Sequence, residues 1–327
     1  MNTYIRLLLP SLLSVLLAIA AARQLWIRFR LRRAMFTLGR EFLWSLRFAP
    51  RQKLVLDVGA GNNPHPRADV LCEKYLYDDF HRGAGGAATD LPLVVGDASA
   101  LPFKSDSIDV IVSANTIEHL DDPAGFFVEA GRVAHSGLFT APSALQEHLR
   151  SYIYHPWMIE QQDDTLVFQA KDRVVINPKV HDFFTKNIMN DNLGLDTFTI
   201  DHWNDLVIDY QWEEKPKLEV KGKPFIPEIK ASTQAEEATP AHELRGVEKI
   251  RFGLKLFIRK FIHWLISAQR NIDLADIMAC PACHGSVSLT QEKVHCLQCG
   301  RDYPVENGIP IMLLEQALPG QNTAEMD

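Results

Sequence analysis

Cysteines at positions 280, 283, 296 and 299 form two Cys-x2-Cys pairs separated by twelve residues. No other feature constrains the fold of this chain as tightly. Each pair can fold into a metal-binding knuckle, and four thiolates close a tetrahedral shell around one ion. Roughly fifty residues cannot build a core without such a staple. Residues 273–318 therefore read as a small ribbon with structural zinc on Cys280, Cys283, Cys296 and Cys299, leaving no open position for catalysis. A redox dithiol is the alternative, and two matched pairs speak against it. The fifth cysteine, Cys72, reads as core packing. Four clustered thiols in a chain of 327 residues suit a reducing compartment, not a disulfide scaffold.

The rest is ordinary globular sequence, 46% hydrophobic and 23% charged, which excludes wholesale disorder and fibrous folds. A formal net charge of −7 argues against a surface that coats nucleic acid. From Lys53 onward short apolar runs alternate with helical stretches. Lys53–Val58, Leu93–Asp97 and Ile108–Ser113 read as buried strands. Pro123–Val133 reads as a helix opened by Asp121-Asp122-Pro123, and Gly137–Thr140 as a further strand. This order predicts an α/β fold with a doubly wound parallel sheet. Thr197–Ile200 and Leu206–Tyr210 read as a closing antiparallel pair, and 213–245, with four prolines, as a linker.

The N-terminus breaks the soluble pattern. Leu7–Ala22 is an uncharged run of sixteen residues, extended past Arg23 to Ile27. It is at the short end of a membrane span, which needs ~20 apolar residues. Only Arg6 precedes it, whereas Arg23, Arg28, Arg30, Arg32 and Arg33 follow. Residues 1–33 therefore read as a transmembrane anchor with a basic flank, single-pass, with everything C-terminal to it cytoplasmic. A cleaved signal peptide and a core helix are the competing readings. Residues 246–270 read as a basic amphipathic helix. Ile250, Leu254, Phe257, Ile258, Phe261 and Leu265 line one face, with Arg251, Lys255 and Arg259 on another. Such a helix either lies on an anionic membrane surface or packs its stripe on the main domain.

The stretch Asp57-Val58-Gly59-Ala60-Gly61-Asn62 gives the middle of the chain its chemistry. Glycines after a strand let the backbone turn tightly and approach a ligand. An acidic residue just before them disfavours pyrophosphate and favours a cation, which suits S-adenosylmethionine with its amino group and sulfonium. Glu73, after the next strand-like run, can accept from ribose hydroxyls, and Asp97, followed by Ala98, from an adenine amino group. Ser113–Leu120 follows the next strand, so all four segments converge at strand carboxyl ends.

In that order, DVGAGNNP, Glu73, GDASALPF, SANTIEHLDDP and RVAHSGLFTAPS resemble the class I S-adenosylmethionine-dependent methyltransferases, in particular the branch with an LPF segment and an EH pair after the fourth strand. The likeness is strong over Lys53–Ser143 and extends weakly to about Trp212, so 50–212 reads as the methyltransferase domain. It implies a Rossmann-like, seven-stranded sheet. It places Asp57, Gly59, Ala60 and Gly61 around methionine, Glu73 on ribose, Asp97 and Ala98 by adenine, and Asn115 and His119 near the methyl group or the substrate entrance. Two departures stand out. Asn63 replaces the third glycine, and only eleven residues separate Gly61 from Glu73, so the joining helix must be short or missing. Asp78 and Asp79 are fallbacks for ribose. The cysteine region, with Ile277–Cys283, Cys299–Val305 and Gly308–Ile311, resembles the small zinc-ribbon activators that bind methyltransferases. That likeness implies an intramolecular contact with the catalytic domain through Gly308–Leu314. A nucleic-acid-binding ribbon is the competing use.

Methyl transfer is displacement at a carbon activated by the cofactor, so the protein chiefly aligns the reactants. A base is needed only for a nucleophile that keeps its proton at neutral pH. His119, His148 and His155 are the candidates, with His119 and His155 preferred. By the family resemblance, the absence of an Asn/Asp-Pro-Pro-aromatic motif counts against exocyclic amines of nucleic-acid bases and against glutamine side chains. The expected function is a membrane-anchored methyltransferase acting on a small or lipid-like acceptor. A soluble or macromolecular acceptor, and a non-catalytic cofactor-binding scaffold, are the alternatives.

Overall fold

The computed structural model describes residues 14–15, 17–21, 23–24, 36–77, 86–152, 154–189, 192–224, 247–268 and 271–319. A first helix, α1, spans 36–48. It is followed by β1 (Val55–Val58), β2 (Val70–Glu73), β3 (Leu93–Val95), β4 (Ile108–Ala114), α2 (Pro123–Val133) and β5 (Ala134–Pro142). Next come α3 (Ala144–Leu149), β6 (Trp157–Gln162), β7 (Thr165–Ala170), α4 (Pro178–Phe184), α5 (Asn192–Asp201), α6 (Trp203–Leu206), β8 (Val207–Glu213) and β9 (Lys217–Lys221). The chain ends in α7 (Val247–Ile266), α8 (Leu274–Ile277) and the ribbon strands β10 (Val287–Leu289), β11 (Lys293–Cys296), β12 (Asp302–Glu306) and β13 (Ile309–Pro310).

The first three strands are buried at every position, as strands covered on both faces must be. They build a six-stranded sheet in the order β3-β2-β1-β4-β5-β8. All neighbours are parallel except β5 and β8. The order reverses between β1 and β4, which opens a crevice at their carboxyl ends. On one face α2 buries Phe126 and Phe127 against Phe139. Its start matches the sequence reading: Asp122 accepts from the Gly125 amide at 2.9 Å, and proline stands first. On the other face Trp44 of α1 packs with Val55, Val110 and Val112.

Two expectations are corrected. The sheet has six strands among the described residues, not seven, and Thr197–Ile200 lies inside α5. There Phe198 packs edge-on to Phe184 at 5.4 Å, so tertiary packing overrides the strand preference of the threonines. β8 alone closes the sheet, turning Ile208, Tyr210 and Trp212 inward. The Tyr210 hydroxyl then accepts from the Lys217 amide at 2.8 Å. This anchors β9, which joins β6 and β7 in a second sheet and occupies the start of the expected linker. Residues 225–246 lie outside the described residues.

Most of the apolar run 7–27 also lies outside them, and among the described residues no helix is long and apolar enough to cross a membrane. The joining helix between β1 and β2 is absent: residues 59–69 form turns, closed by the Ala68 amide on the His65 carbonyl at 2.9 Å. α7 packs there instead. Arg259, 3% exposed, pairs with Asp90 at 2.7 Å. The His263 ring meets the Pro66 carbonyl at 3.2 Å, and Ser267, just past the helix, donates to Asp69 at 2.7 Å. The docked face thus carries polar groups beside the buried Ile266, while Phe257, Phe261, Trp264 and Leu265 are exposed. Arg259, placed by its spacing on a face apart from the apolar stripe, is the side chain that docks. The exposed stripe is apolar because α7 covers a turn rich in carbonyls and carboxylates.

Candidate cofactor and acceptor site

Four strand ends deliver the acidic and amide groups named from the sequence. Gly59 has φ +76° and Gly61 φ +58°, the left-handed conformation that side chains resist. A Cβ on Gly59 would also lie 2.3 Å from the Thr116 hydroxyl, which donates to the Gly59 carbonyl. The glycine turn is therefore clasped by the segment after β4. Asp57, at the end of β1, is 3% exposed and accepts from the His65 amide at 2.7 Å. Burial pushes its carboxyl up to about 8, and the Glu73 charge adds to this, while the His65 amide opposes it. Glu73 ends β2 with its carboxylate on the Gly61 amide at 2.5 Å. Two carboxylates buried beside one turn suit a ligand that brings positive charge.

Asp97 follows β3, its carboxylate on Lys74 at 2.7 Å and accepting from the Ser99 amide and hydroxyl. Burial works against its ionisation, but the bonds from Lys74 and Ser99 hold it below the ordinary carboxylate range. Ala98 is buried beside it. Asn115 follows β4 at φ +52°, and its amide donates to the Thr140 carbonyl at 2.7 Å. Asp57, Gly59, Ala60, Gly61, Glu73, Asp97, Ala98 and Asn115 thus sit at or just past the carboxyl ends of β1–β4. Asp78 and Asp79 lie outside the described residues.

His119 lies just beyond, on a single helical turn at Ile117–His119. Its ring stacks on Tyr154 at 5.4 Å and meets His155 edge-on at 4.6 Å. His155 is 6% exposed. Its Nδ1 lies 2.5 Å from Glu147 Oε1, and Lys171 Nζ reaches the other oxygen at 3.0 Å. Burial pulls the His155 imidazole below its usual range despite the pull of Glu147. Glu118, 1% exposed, is pushed up to about 8 by burial. His148 is exposed on α3 and stands apart. Sequence reasoning missed Glu147 and Lys171. The one available signal was that Glu147 sits eight positions before His155 on a short helix, which does not reveal that the two meet.

The ribbon thiols lie close together. Cys280 Sγ is 3.7 Å from Cys299 Sγ, and Cys283 Sγ is 3.5 Å from Cys296 Sγ. A zinc tetrahedron with bonds of about 2.3 Å has sulfur–sulfur edges near that length. The Tyr303 hydroxyl lies 3.2 Å from Cys280 Sγ, where it supports one ligand from outside the shell.

The ribbon also grips the loop that carries Asp97. The Met312 amide donates to the Val95 carbonyl at 2.7 Å, and Ile311 bridges Val95 in parallel, extending the main sheet at its β3 edge. Beyond the loop, the Ala279 amide donates to Pro102 at 3.0 Å and the Lys104 amide to Ile277 at 2.8 Å. Residues 96–101 are thereby held at both ends. Met278, Val294, Tyr303 and Met312 of the ribbon belong to the same buried cluster as Phe103 and Phe126. The contact expected through Gly308–Leu314 is present.

This sheet order, with acidic side chains at successive strand ends around a glycine turn, defines an S-adenosylmethionine-dependent methyltransferase. Residues 56–139 match the family described as Methyltransferase domain, and residues 271–308 the Trm112p-like protein family. The chain belongs, through its C-terminal ribbon, to the Trm112p-like (UPF0434) family, with the methyltransferase domain fused ahead of it. The UPF0434 protein of Pasteurella multocida is 44% identical over 48 residues, 14% of this chain and 80% of that protein. Its counterpart in Ectopseudomonas mendocina is 39% identical over 49 residues, covering 14% and 80%. Among solved structures, the YcgJ protein from Bacillus subtilis shares 20% identity over 32% of this chain and 51% of that one, with a TM-score of 0.26. The chain thus spans about half of YcgJ. An arsenic(III) S-adenosylmethionine methyltransferase from Chlamydomonas reinhardtii shares 19% over 28% and 40%, with a TM-score of 0.22. The family match and the sheet topology carry the assignment, not these distant likenesses.

Proposed function

We propose that this protein transfers a methyl group from S-adenosylmethionine to a protic, small or lipid-like acceptor presented beside His119 and His155. The observation that carries this reading is the placement of His119 directly after β4, next to the turn where Thr116 clasps Gly59. The cofactor supplies an activated methyl carbon when bound. Asp57 faces its amino-acid end, Glu73 its ribose and Asp97 its adenine. His155, oriented by Glu147, receives the acceptor's proton. Anchoring to a membrane is part of this proposal. It is supported by the apolar run 7–27 with its arginine-rich flank and by the exposed Phe257, Phe261 and Trp264 of α7.

Methyl labelling tests the acceptor class. Cells with and without the protein are fed labelled methionine and separated into an organic extract and a macromolecular precipitate. Protein-dependent label in the organic extract is the expected result; label confined to the precipitate overturns the lipid-like acceptor, and label in neither points to a water-soluble acceptor or a scaffold.

Asp57 gives a pH prediction with a definite sign. In the unfolded chain it ionises near its ordinary value of 3.8, in the folded apo protein at about 8. The folded state therefore holds the extra proton, and apo stability falls as pH rises from about 4 to about 8, by up to ~1.4 kcal/mol per unit. Cofactor binding needs the ionised carboxylate, so affinity rises by up to about tenfold per unit over the upper part of that window. Asp57→Asn removes both trends. Thermal unfolding and calorimetric cofactor titration at several pH values check this, and an unchanged slope in the variant sinks the assignment.

A further inference from the structure

Glu118, His119 and His155 bring one potential ligand atom each to within 4.8 Å of one another. The group lies outside the cysteine ribbon. Glu118 Oε2 is buried without a hydrogen-bond partner among the described residues, on a side chain 1% exposed. An uncompensated buried carboxylate oxygen costs several kcal/mol unless something binds it. With its Nδ1 taken by Glu147, His155 has its Nε2 left to offer a ligand. A carboxylate on the far nitrogen of a histidine is the outer-shell arrangement that fixes ring orientation and tautomer in metal sites. Lys171 and the Tyr152 amide hold the second oxygen of Glu147 in turn. His119, with a side chain 24% exposed, forms the open side, beneath Tyr154.

We propose that Glu118, His119 and His155 form a second metal site, for a divalent ion that accepts imidazole and carboxylate ligands. Two imidazoles and one carboxylate leave coordination positions free, unlike the four thiolates of the ribbon. An acceptor hydroxyl takes one of these positions. The ion lowers the pKa of that hydroxyl, its proton leaves to solvent, and the oxygen stands as the nucleophile. The oxygen forms the new bond to the methyl carbon as the carbon–sulfur bond breaks, its electron pair passing to sulfur. The site thus deepens the reading of the protein as a methyltransferase, on which its role rests, and selects hydroxyl acceptors. It changes the part assigned to His155, which becomes a metal ligand and no longer the proton's recipient.

Cobalt(II) titration of the full chain carrying one zinc per molecule, held by the ribbon, without cofactor or acceptor, tests the site independently of methyl transfer. The expected result is one cobalt per chain beyond the ribbon zinc. Its visible bands should be those of nitrogen and oxygen ligands, without the sulfur charge-transfer bands of a thiolate site. Glu118→Gln and His119→Gln should abolish uptake, and Glu147→Gln should weaken it about 10–100-fold. Zinc content and thermal unfolding monitor folding. If Glu118→Gln does not fold, His119→Gln, at a partly exposed position, decides. No uptake beyond the ribbon, or equal uptake by wild type and His119→Gln, overturns the proposal. A failed cobalt titration with intact cofactor binding leaves the methyltransferase reading standing. Failed cofactor binding with normal cobalt uptake does the reverse.

Discussion

Cys296→Ser should cost this protein its ribbon and most of its affinity for cofactor in one step. Structural zinc bound by four thiolates contributes roughly 10–16 kcal/mol to small metal-folded units. That equals or exceeds the ~5–15 kcal/mol by which a whole domain is stable. Cys296 is fully buried, its sulfur 3.5 Å from that of Cys283, so the serine variant leaves a shell of three thiolates. The loss would not stay local. Met278, Tyr303 and Met312 share a core with Phe103 and Phe126, and the Met312 amide is bonded to Val95 at the edge of the main sheet. With the ribbon gone, loop 96–101 keeps the Gly96 amide on the Glu73 carbonyl at 3.0 Å, Lys74 on Asp97 and the grip of Arg132, which donates to the Leu101 and Phe103 carbonyls at 3.0 and 2.8 Å. We expect zinc content near zero, a markedly lower unfolding temperature and cofactor affinity down by more than about tenfold, at least ~1.4 kcal/mol. Strong chelation of the wild type should give the same result. Unchanged affinity in a folded, zinc-free variant would show that the ribbon does not position Asp97.

The parts of this architecture that were legible in the sequence are those fixed by local chemistry. Two Cys-x2-Cys pairs have few uses besides a metal. A glycine turn after VLDV needs left-handed φ wherever it occurs. Asp122-Pro123 starts a helix whatever surrounds it. What stayed hidden depends on distant partners. Thr197–Ile200 has strand-like residues, yet Phe198 against Phe184 makes it helical. The helical stripe of α7 suggested an apolar docking face. Its members Phe257, Phe261 and Leu265 are exposed, and the helix docks instead through groups that meet the Pro66 carbonyl and the carboxylates of Asp69 and Asp90. Glu147 meets His155 only because α3 and β6 pack together, a contact no spacing rule encodes. The EH pair and His155 were visible as candidates, but the second carboxylate of their cluster, Glu147, was not.

Arg67→Met should destabilise the fold more than any other single change on the sheet side of the cofactor turn. Arg67 is 0% exposed. Its Nε donates to the Ala49 carbonyl at 3.0 Å, one terminal nitrogen pairs with Asp69 at 2.5 Å, and the other reaches the carbonyls of Pro50, Arg51 and Lys53. One side chain thereby ties the end of α1, the start of β1 and the turn that replaces the missing helix. Asp69 in turn accepts from the Val55 amide and from Ser267 beyond α7. Methionine fills similar volume but leaves a buried carboxylate without its cation and several carbonyls without donors. Breaking one half of a buried pair costs roughly 3–5 kcal/mol, so a protein stable by ~5–15 kcal/mol becomes marginal. Replacing both partners, as Arg67→Met with Asp69→Leu, should recover part of that loss, because no buried charge is then left over. Denaturant unfolding of the two single variants and the double variant measures the coupling directly. Additive losses would mean that Arg67 acts through the carbonyls alone. A double variant more stable than either single one would assign the larger share to the buried pair, and with it the reason α7 can dock on this turn without a helix beneath it.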